Sequence, residues 1–478
     1  MTLNTKSRTR SENMKWKIRL AFLLFLLCQN LLSQFYWQKT YNSYIGGDDE
    51  GYDGCAADGS NFYVVGYTGI FDYYMYVAKF NQLGDTLWTR TFFGGIADAV
   101  APSNDGGCVL TGQRNSCFSM KLDLNGNIVW DKSYPNGAET RDITKTGDSG
   151  YVMCGGFFSG YVCKLDNSGN MQWERYYSDS PQDFHTISIA IDGGYIVGGR
   201  KFVNNIWKAY LAKMDGYGNI IWEAFYDSPY LLESIAKKNN GYILLVGVNI
   251  NNKSRTTLVS TDLNGNVKKI DTIISNTVSD NRPSIITIND NRFAISYYAQ
   301  TLPPQRYVGK VLMIDSSLKI LKGITLTFDT NSLYLNNLIE APGSDIDDFI
   351  CIGSAEPRGP YELDLYAVRI DSSLTQPPPI SMNLISSQVP QKSELSHNYP
   401  NPFNGSTIIK FGIYESSFVK LKIFDMLGKE IEVLVSEFLS AGIYSSFFNP
   451  KNLSSGIYFY QLNIDGKVVS THKMIYIK

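Results

Sequence analysis

A short apolar strand that stops at an acidic or amide residue recurs seven times in this chain, and no other feature limits the fold as tightly. The copies end at Asn81, Asp123, Asp166, Asp215, Asp262, Asp315 and Asp371, at spacings of 42, 43, 49, 47, 53 and 56 residues. Such a period is the length of one four-stranded propeller blade. A turn follows each copy, clearest in Asp123-Leu124-Asn125-Gly126-Asn127, and seven positions on stands an aromatic: Trp88, Trp130, Trp173 or Trp222. Lys269 and Lys322 replace it in later copies. Glycine or asparagine in the turn supplies the positive φ of a hairpin connection, and the repeated acid reads as structural, accepting backbone N–H bonds within the turn. Another strand precedes each copy, at 63–66, 108–112, 151–156, 195–199, 242–247, 293–298 and 349–353. Each unit therefore holds strands a, b, c and d.

The ends of the array complement each other. Residues 37–41 resemble strand d but no a, b or c strand precedes them, whereas the seventh unit stops after strand c at Asp371 and runs into Pro377-Pro378-Pro379. An N-terminal strand that completes the last blade closes the ring and removes its open edge. The expected fold is all-β, with residues 34–374 a seven-bladed β-propeller; a solenoid would need capping units, and none is apparent.

At 478 residues the chain exceeds one core, and its 32 Tyr, 25 Phe and 41 Gly favour short strands joined by glycine turns. The 43 basic and 45 acidic residues leave a formal charge of -2, with no footprint for nucleic acid. Lys15, Lys17 and Arg19 precede an apolar run at 20–27, so residues 1–33 read as a secretory signal peptide, with Met14 an alternative start. Export permits disulfides. Cys108/Cys117 and Cys154/Cys163 sit on the arms of two hairpins offset by 43 residues, yet a shared register lets at most one pair face across its ladder. Free cysteines acting as small core hydrophobes are the plainer reading.

Residues 375–394 are rich in Pro, Ser and Gln and read as a linker. Strand-like runs at 406–411, 418–425, 431–435, 442–448, 456–464 and 467–476 then suggest a small β-sandwich over 395–478. Tyr399-Pro400-Asn401-Pro402-Phe403, then Asp425 with Gly428, Gly442, Gly456 with Tyr458, and the terminal segment from Lys473 keep an order and placement that resemble the type A C-terminal sorting domain of the type IX secretion system. Family members often carry Pro where Gly405 stands. The resemblance implies export to the periplasm in a Bacteroidota-type bacterium, docking at the outer-membrane translocon, and removal of the domain with attachment of the cargo to surface lipopolysaccharide. The prolines predict an extended entry at 399–403, and Gly428 and Gly456 predict turns.

Chemistry in the ring is harder to find. His185 is its only histidine, which excludes a His-rich metal centre and leaves any Ser-His-Asp triad hanging on one residue. No P-loop, dinucleotide fingerprint or calcium loop is present, so no cofactor is expected. The remaining candidates stand where strand a of each blade begins: Asp49, Glu139 and Asp183, with Asp98 and Glu233 two residues later in their own blades. Carboxylates converging there could bind a cation or form an acid/base pair; polar residues hydrating a wide channel explain them as well. The expected protein is a secreted or surface-attached monomer that binds a polysaccharide or protein. A carbohydrate-active hydrolase or lyase, or a purely structural surface protein, is the alternative.

Overall fold

The computed structural model describes residues 37–477 outside the segments 42–47, 58, 70–72, 135–138, 181, 227–229, 251–252, 278–281, 290, 302–305, 328–330, 343–347, 357–362, 372–373, 375–381, 387–389, 405–406, 416, 440, 449 and 451–452. The expected signal peptide and linker positions 375–381 and 387–389 lie outside the described residues. Between Trp37 and Ile370 the chain forms seven four-stranded antiparallel sheets. Their inner a strands are Asp48–Ala56, Ile96–Pro102, Thr140–Lys145, Gln182–Ile189, Tyr230–Lys238, Ser284–Asn289 and Leu333–Glu340. Each packs on the next and the seventh on the first, which makes the arrangement a closed β-propeller. The seventh sheet has three consecutive strands, and its fourth is Trp37–Tyr41, paired from Trp37 opposite Arg369 to Tyr41 opposite Leu365.

Burial follows position in the sheet. Strands b and c, such as Cys108–Gln113 and Cys117–Leu122, are buried almost throughout because a neighbouring sheet covers each face. The outer strand Thr86–Phe93 instead alternates between half-buried and exposed. At the c–d turns one oxygen of Asp123 accepts the Asn125 and Asn127 amides at 2.8 and 2.9 Å, and Asp166, Asp215, Asp262 and Asp315 repeat the pattern. These bonds favour the charged form and hold the carboxyls below their ordinary range, led in Asp123 by the Asn127 side chain.

The turn also receives the neighbouring sheet. Trp37 Nε1 donates to the Gln82 carbonyl at 3.0 Å, Trp88 to Leu124 at 2.9 Å and Trp130 to Asn167 at 3.3 Å. Each indole lies against the turn glycine, so a Cβ on Gly84, Gly169 or Gly218 would fall 2.8, 2.9 or 2.8 Å from the ring. Between the fifth and sixth sheets Lys269 takes the role, donating to the Ser317 carbonyl at 2.7 Å.

Neither cysteine pair faces across its hairpin. Cys108 lies opposite Leu122 and Cys117 opposite Gln113; Cys154 lies opposite Val162 and Cys163 opposite Met153. The six described cysteines are free and buried.

The C-terminal unit is a sandwich of two four-stranded sheets. One runs Met382–Ser386, Gly442–Phe448, Thr407–Ile413, Glu394–Leu395; the other runs Glu430–Leu439, Ser417–Phe424, Gly456–Ile464, Lys467–Tyr476. Ile409, Phe411, Leu421, Ile423, Tyr460 and Leu462 fill the space between them. The sheet thus begins inside the stretch expected to be linker. Residues 382–386 pair with 443–446, covering an edge of Gly442–Phe448 that would otherwise be open.

Candidate functional site

The inner strands carry a repeated irregularity. Near the start of strand a the register slips by one residue, between Gly51/Asp53, Ala97/Ala99, Thr140/Asp142, Phe184/Thr186, Leu232/Ser234 and Leu335/Asn337. The extra residues are Tyr52, Asp98, Arg141, His185, Glu233 and Asn336. A bulge leaves its extra residue unpaired and re-aims the side chain. All six line one cavity of about 660 Å³, to which every inner strand contributes.

Glycines at the end of strand b make room for the bulges. A Cβ on Gly66, Gly112, Gly155, Gly199 or Gly353 would sit 1.7 to 2.1 Å from a carbonyl oxygen of strand a, and no backbone atom can yield that much. In the sixth sheet Tyr297 stands near this position; the paired strand starts only at Ser284, and Arg282 and Pro283 line the cavity ahead of it.

The residue after four of the six bulges ties its sheet to the next. Asp53 accepts the Val100 amide at 2.7 Å, Asp142 the Ile187 amide at 2.7 Å, and Ser234 the Ile285 amide at 3.3 Å. Ser284 donates to Asn337 Oδ1 at 2.9 Å, and Asn337 Nδ2 donates to Asp53, which joins the seventh sheet to the first. Burial, with the charge of Asp142 beside it, pushes the Asp53 carboxyl up to about 7; burial pushes Asp142 up to about 6.

Of the expected candidates, Asp98, His185 and Glu233 line the cavity, whereas Asp49, Glu139 and Asp183 do not. Asp98 faces Arg282 Nη2 at 3.6 Å, and burial raises its carboxyl. His185 Nδ1 lies 3.8 Å from Glu233 Oε2. Burial, reinforced by Arg141, Arg200 and Arg282, holds the imidazole well below the usual histidine range. The other three precede the bulge and are engaged elsewhere. Asp49 is buried, with its amide on the Leu363 carbonyl at 2.8 Å. Glu139 accepts Gln113 Nε2 at 2.8 Å. Asp183 accepts Arg200 Nε and Nη2 at 2.7 and 2.6 Å through one oxygen and the Phe158 amide at 3.0 Å through the other.

The expected ring of carboxylates is therefore a mixed set, and sequence reasoning missed Tyr52, Asp53, Arg141, Asp142, Arg200 and Arg282. The recurring strand-b glycine was the signal that could have found the bulged ones. Arg282 lies over the Tyr52 ring at 4.0 Å, and Arg200 over Trp207 at 4.5 Å.

In the C-terminal unit the motif residues other than Gly442, which lies opposite Ile413, gather toward one end of the sandwich. Phe403 is buried against Tyr476 and Phe448, with ring centroids 5.2 and 6.2 Å away, and its amide and carbonyl pair with Ile475 and Ile477 at 3.0 and 2.9 Å. Asn401 Oδ1 accepts the Ile475 amide at 2.9 Å, and its Nδ2 donates to the Lys473 carbonyl at 3.3 Å. The Pro400 carbonyl accepts Thr407 Oγ1 at 2.8 Å; Tyr399 and Pro402 are exposed. Asp425 accepts the Leu427 and Lys429 amides at 2.8 and 2.9 Å, and Gly428 takes φ +77. Gly442 and Gly456 each open a strand, so Gly456 is not the expected turn, while Tyr458 donates to the Ser454 carbonyl at 2.7 Å. Residues 399–403 bend between bridges at Tyr399 and Phe403 instead of running extended, because Asn401 ties the segment to the last strand.

Residues 397–478 match the family model described as Secretion system C-terminal sorting domain. The C-terminal unit is a type IX sorting domain. A type IX sorting domain marks its chain for handling by that secretion system and for export to the cell surface or the extracellular space.

No curated protein matches the sequence. Solved structures similar to this chain include a Dos1 propeller, 12% identical over 70% of this chain and 87% of that one with a TM-score of 0.44. The Pan2 WD40 domain of Neurospora crassa is 9% identical over 70% and 96%, with a TM-score of 0.47. A protein of unknown function from Bacteroides caccae is 14% identical over 56% and 94%, with a TM-score of 0.38. The propeller ahead of the sorting domain rests on its own strand pairing, and these likenesses bring no activity to it.

Proposed function

We propose that the protein is a type IX cargo whose propeller binds an extracellular ligand, a polysaccharide or a protein, at the mouth of its central channel. The observation that carries this reading is the convergence of bulged side chains on one polar cavity. A ring built only for structure has no need to re-aim a side chain into its channel six times. The b–c connections surround that mouth, because the bulges lie near the start of strand a and the end of strand b.

The carboxylates support binding over hydrolysis. Asp183 is held by Arg200 and Asp98 faces Arg282, while Asp53 and Asp142 accept amides of the next sheet. An acid/base pair needs two carboxyls free to exchange protons with substrate. In this reading residues 1–33 deliver the chain to the periplasm, the sorting domain docks at the translocon, and its removal leaves a monomeric propeller attached to surface lipopolysaccharide.

Two measurements test it. A chain lacking residues 382–478 should accumulate in the periplasm, and its appearance at the surface would overturn the export route. A panel of polysaccharides and surface proteins, read for binding and product release together, should give binding without turnover. Turnover would favour the hydrolase or lyase reading, and silence throughout would leave a structural surface protein.

A further inference from the structure

We propose that the channel mouth takes an acidic saccharide chain, with Arg141 and Arg282 receiving its carboxylates and Trp207 and Phe158 its ring faces. This deepens the binding reading above and rests on it.

Three arginines, Arg141, Arg200 and Arg282, line the cavity together with Asp53, Asp98, Asp142 and Glu233. Arg282 is 43% exposed over an Asp98 that is 16% exposed, and Arg200 is 34% exposed over an Asp183 at 3%. Two of the acids thus lie beneath the arginines that face the opening. Arg282 is fixed flat on Tyr52, and its 3.6 Å approach to Asp98 is longer than a good hydrogen bond. Arg141 is delivered by its bulge, lies 3.4 Å from Glu139, and keeps a buried Nε with no hydrogen-bond partner. Both retain planar donors suited to a carboxylate. Asp53 opposes an anion less than its formal charge suggests, because burial raises its carboxyl to about 7, and both Asp53 and Asp142 are turned to amides of the next sheet.

Beside the arginines stands an aromatic shelf from the b–c connection of the third sheet and the start of strand c of the fourth. Phe157 and Phe158 are largely exposed, and Phe158 lies 6.4 Å from Trp207, which rests on Arg200. Asp183 positions the shelf from below, gripping Arg200 and the Phe158 amide with its two oxygens. Exposed flat rings next to guanidinium forks suit a ligand that alternates apolar sugar faces with carboxylates.

The test titrates the full exported chain with oligogalacturonate, oligomannuronate and an oligoglucuronate, and with the methyl esters of each. An ester keeps the ring and removes the charge. At least one acid should bind about tenfold or more tightly than its ester, with affinity falling as salt rises. Arg141→Gln and Arg282→Gln should each lose about tenfold for the acid and little for the ester, and Trp207→Ala should weaken both. Arg175→Gln, on the outer strand Met171–Tyr177, should change nothing. The acid-to-ester ratio needs no variant and holds even if a substitution fails to fold. Equal affinity for acid and ester would overturn the inference while leaving a saccharide site at the mouth. No binding to any uronate overturns it as well, and the broader panel then decides whether the mouth binds anything.

Discussion

The tryptophan against each turn glycine predicts an energetic coupling that can be measured where the ring closes. Trp37 is 6% exposed, and a Cβ on Gly84 would sit 2.8 Å from three of its ring atoms at a backbone φ of +73. Trp37→Ala should destabilise the ring by about 3–5 kcal/mol through lost packing. It orphans no acceptor, because the Gln82 carbonyl also receives Arg369 Nη1 at 3.1 Å. Gly84→Ala carries two costs: about 1–2 kcal/mol for a Cβ in the left-handed region and a further ~1–3 kcal/mol for displacing the indole. Only the first survives once the indole is gone. Urea unfolding of the two single variants and the double variant, read as midpoint shifts at constant slope, should therefore show Gly84→Ala costing about 1–2 kcal/mol in the Trp37→Ala background and distinctly more in the parent. Equal costs in both backgrounds would refute the coupling. So would a Trp37→Ala penalty below about 1 kcal/mol, which is all an exposed indole could lose.

Other predictions address the seams and the sorting domain. Tyr460 donates to the Ser396 carbonyl at 2.9 Å and accepts the buried Asn398 amide at 2.8 Å, so Tyr460→Phe should cost about 1–3 kcal/mol in thermal unfolding of the C-terminal unit; no change would place both groups in contact with water. The Asp53 carboxyl, raised to about 7, stabilises the folded chain at low pH and loses that contribution as pH rises through 7. His185, held neutral, acts in the opposite sense, but only below about 6.5. Stability should accordingly fall between pH 6.5 and about 7.5 by under about 1.4 kcal/mol per pH unit from Asp53 and level off above that, and Asp53→Asn should flatten the slope. A parental slope that persists in Asp53→Asn would assign it to another group. Burial pushes the thiol of Cys163 up to about 12 and raises those of Cys55, Cys108 and Cys154 as well, so a thiol reagent at neutral pH should label these cysteines only after denaturant is added.

What was legible in the sequence was whatever repeats by necessity. The c–d turn needs one acceptor at its first position and a glycine at its fourth, so Asp123, Asp166, Asp215 and Asp262 stand out as a series, and the strand after each turn could be read from them. Asp425 with Gly428 builds the same turn in the sorting domain, which shows that the motif reports hairpin chemistry in either fold. The site was harder to read because a bulge shifts register by one, and in a strand one residue exchanges the two faces. Choosing the carboxylates where strand a begins therefore selected Asp183, which is held by Arg200 outside the cavity, and passed over Arg141, which a bulge delivers into it.

The strand-b glycines resolve that ambiguity on physical grounds. Gly155 has to lack a side chain because the carbonyl of Glu139 lies 1.9 Å from where its Cβ would be, and that approach exists only because the strand bulges beside it. Gly199 and Asp183 stand in the same relation, at 2.0 Å, next to the bulged His185. A glycine closing an apolar strand b thus marks the neighbouring residue that enters the channel, and the side chain at that point can change without disturbing the ring. Tyr52, Asp98, Arg141, His185, Glu233 and Asn336 occupy the six equivalent bulges with six different residue types, whereas the tryptophan and turn positions hold to a few. That contrast separates a scaffold, in which repetition is required, from a mouth whose variety is what a ligand would read.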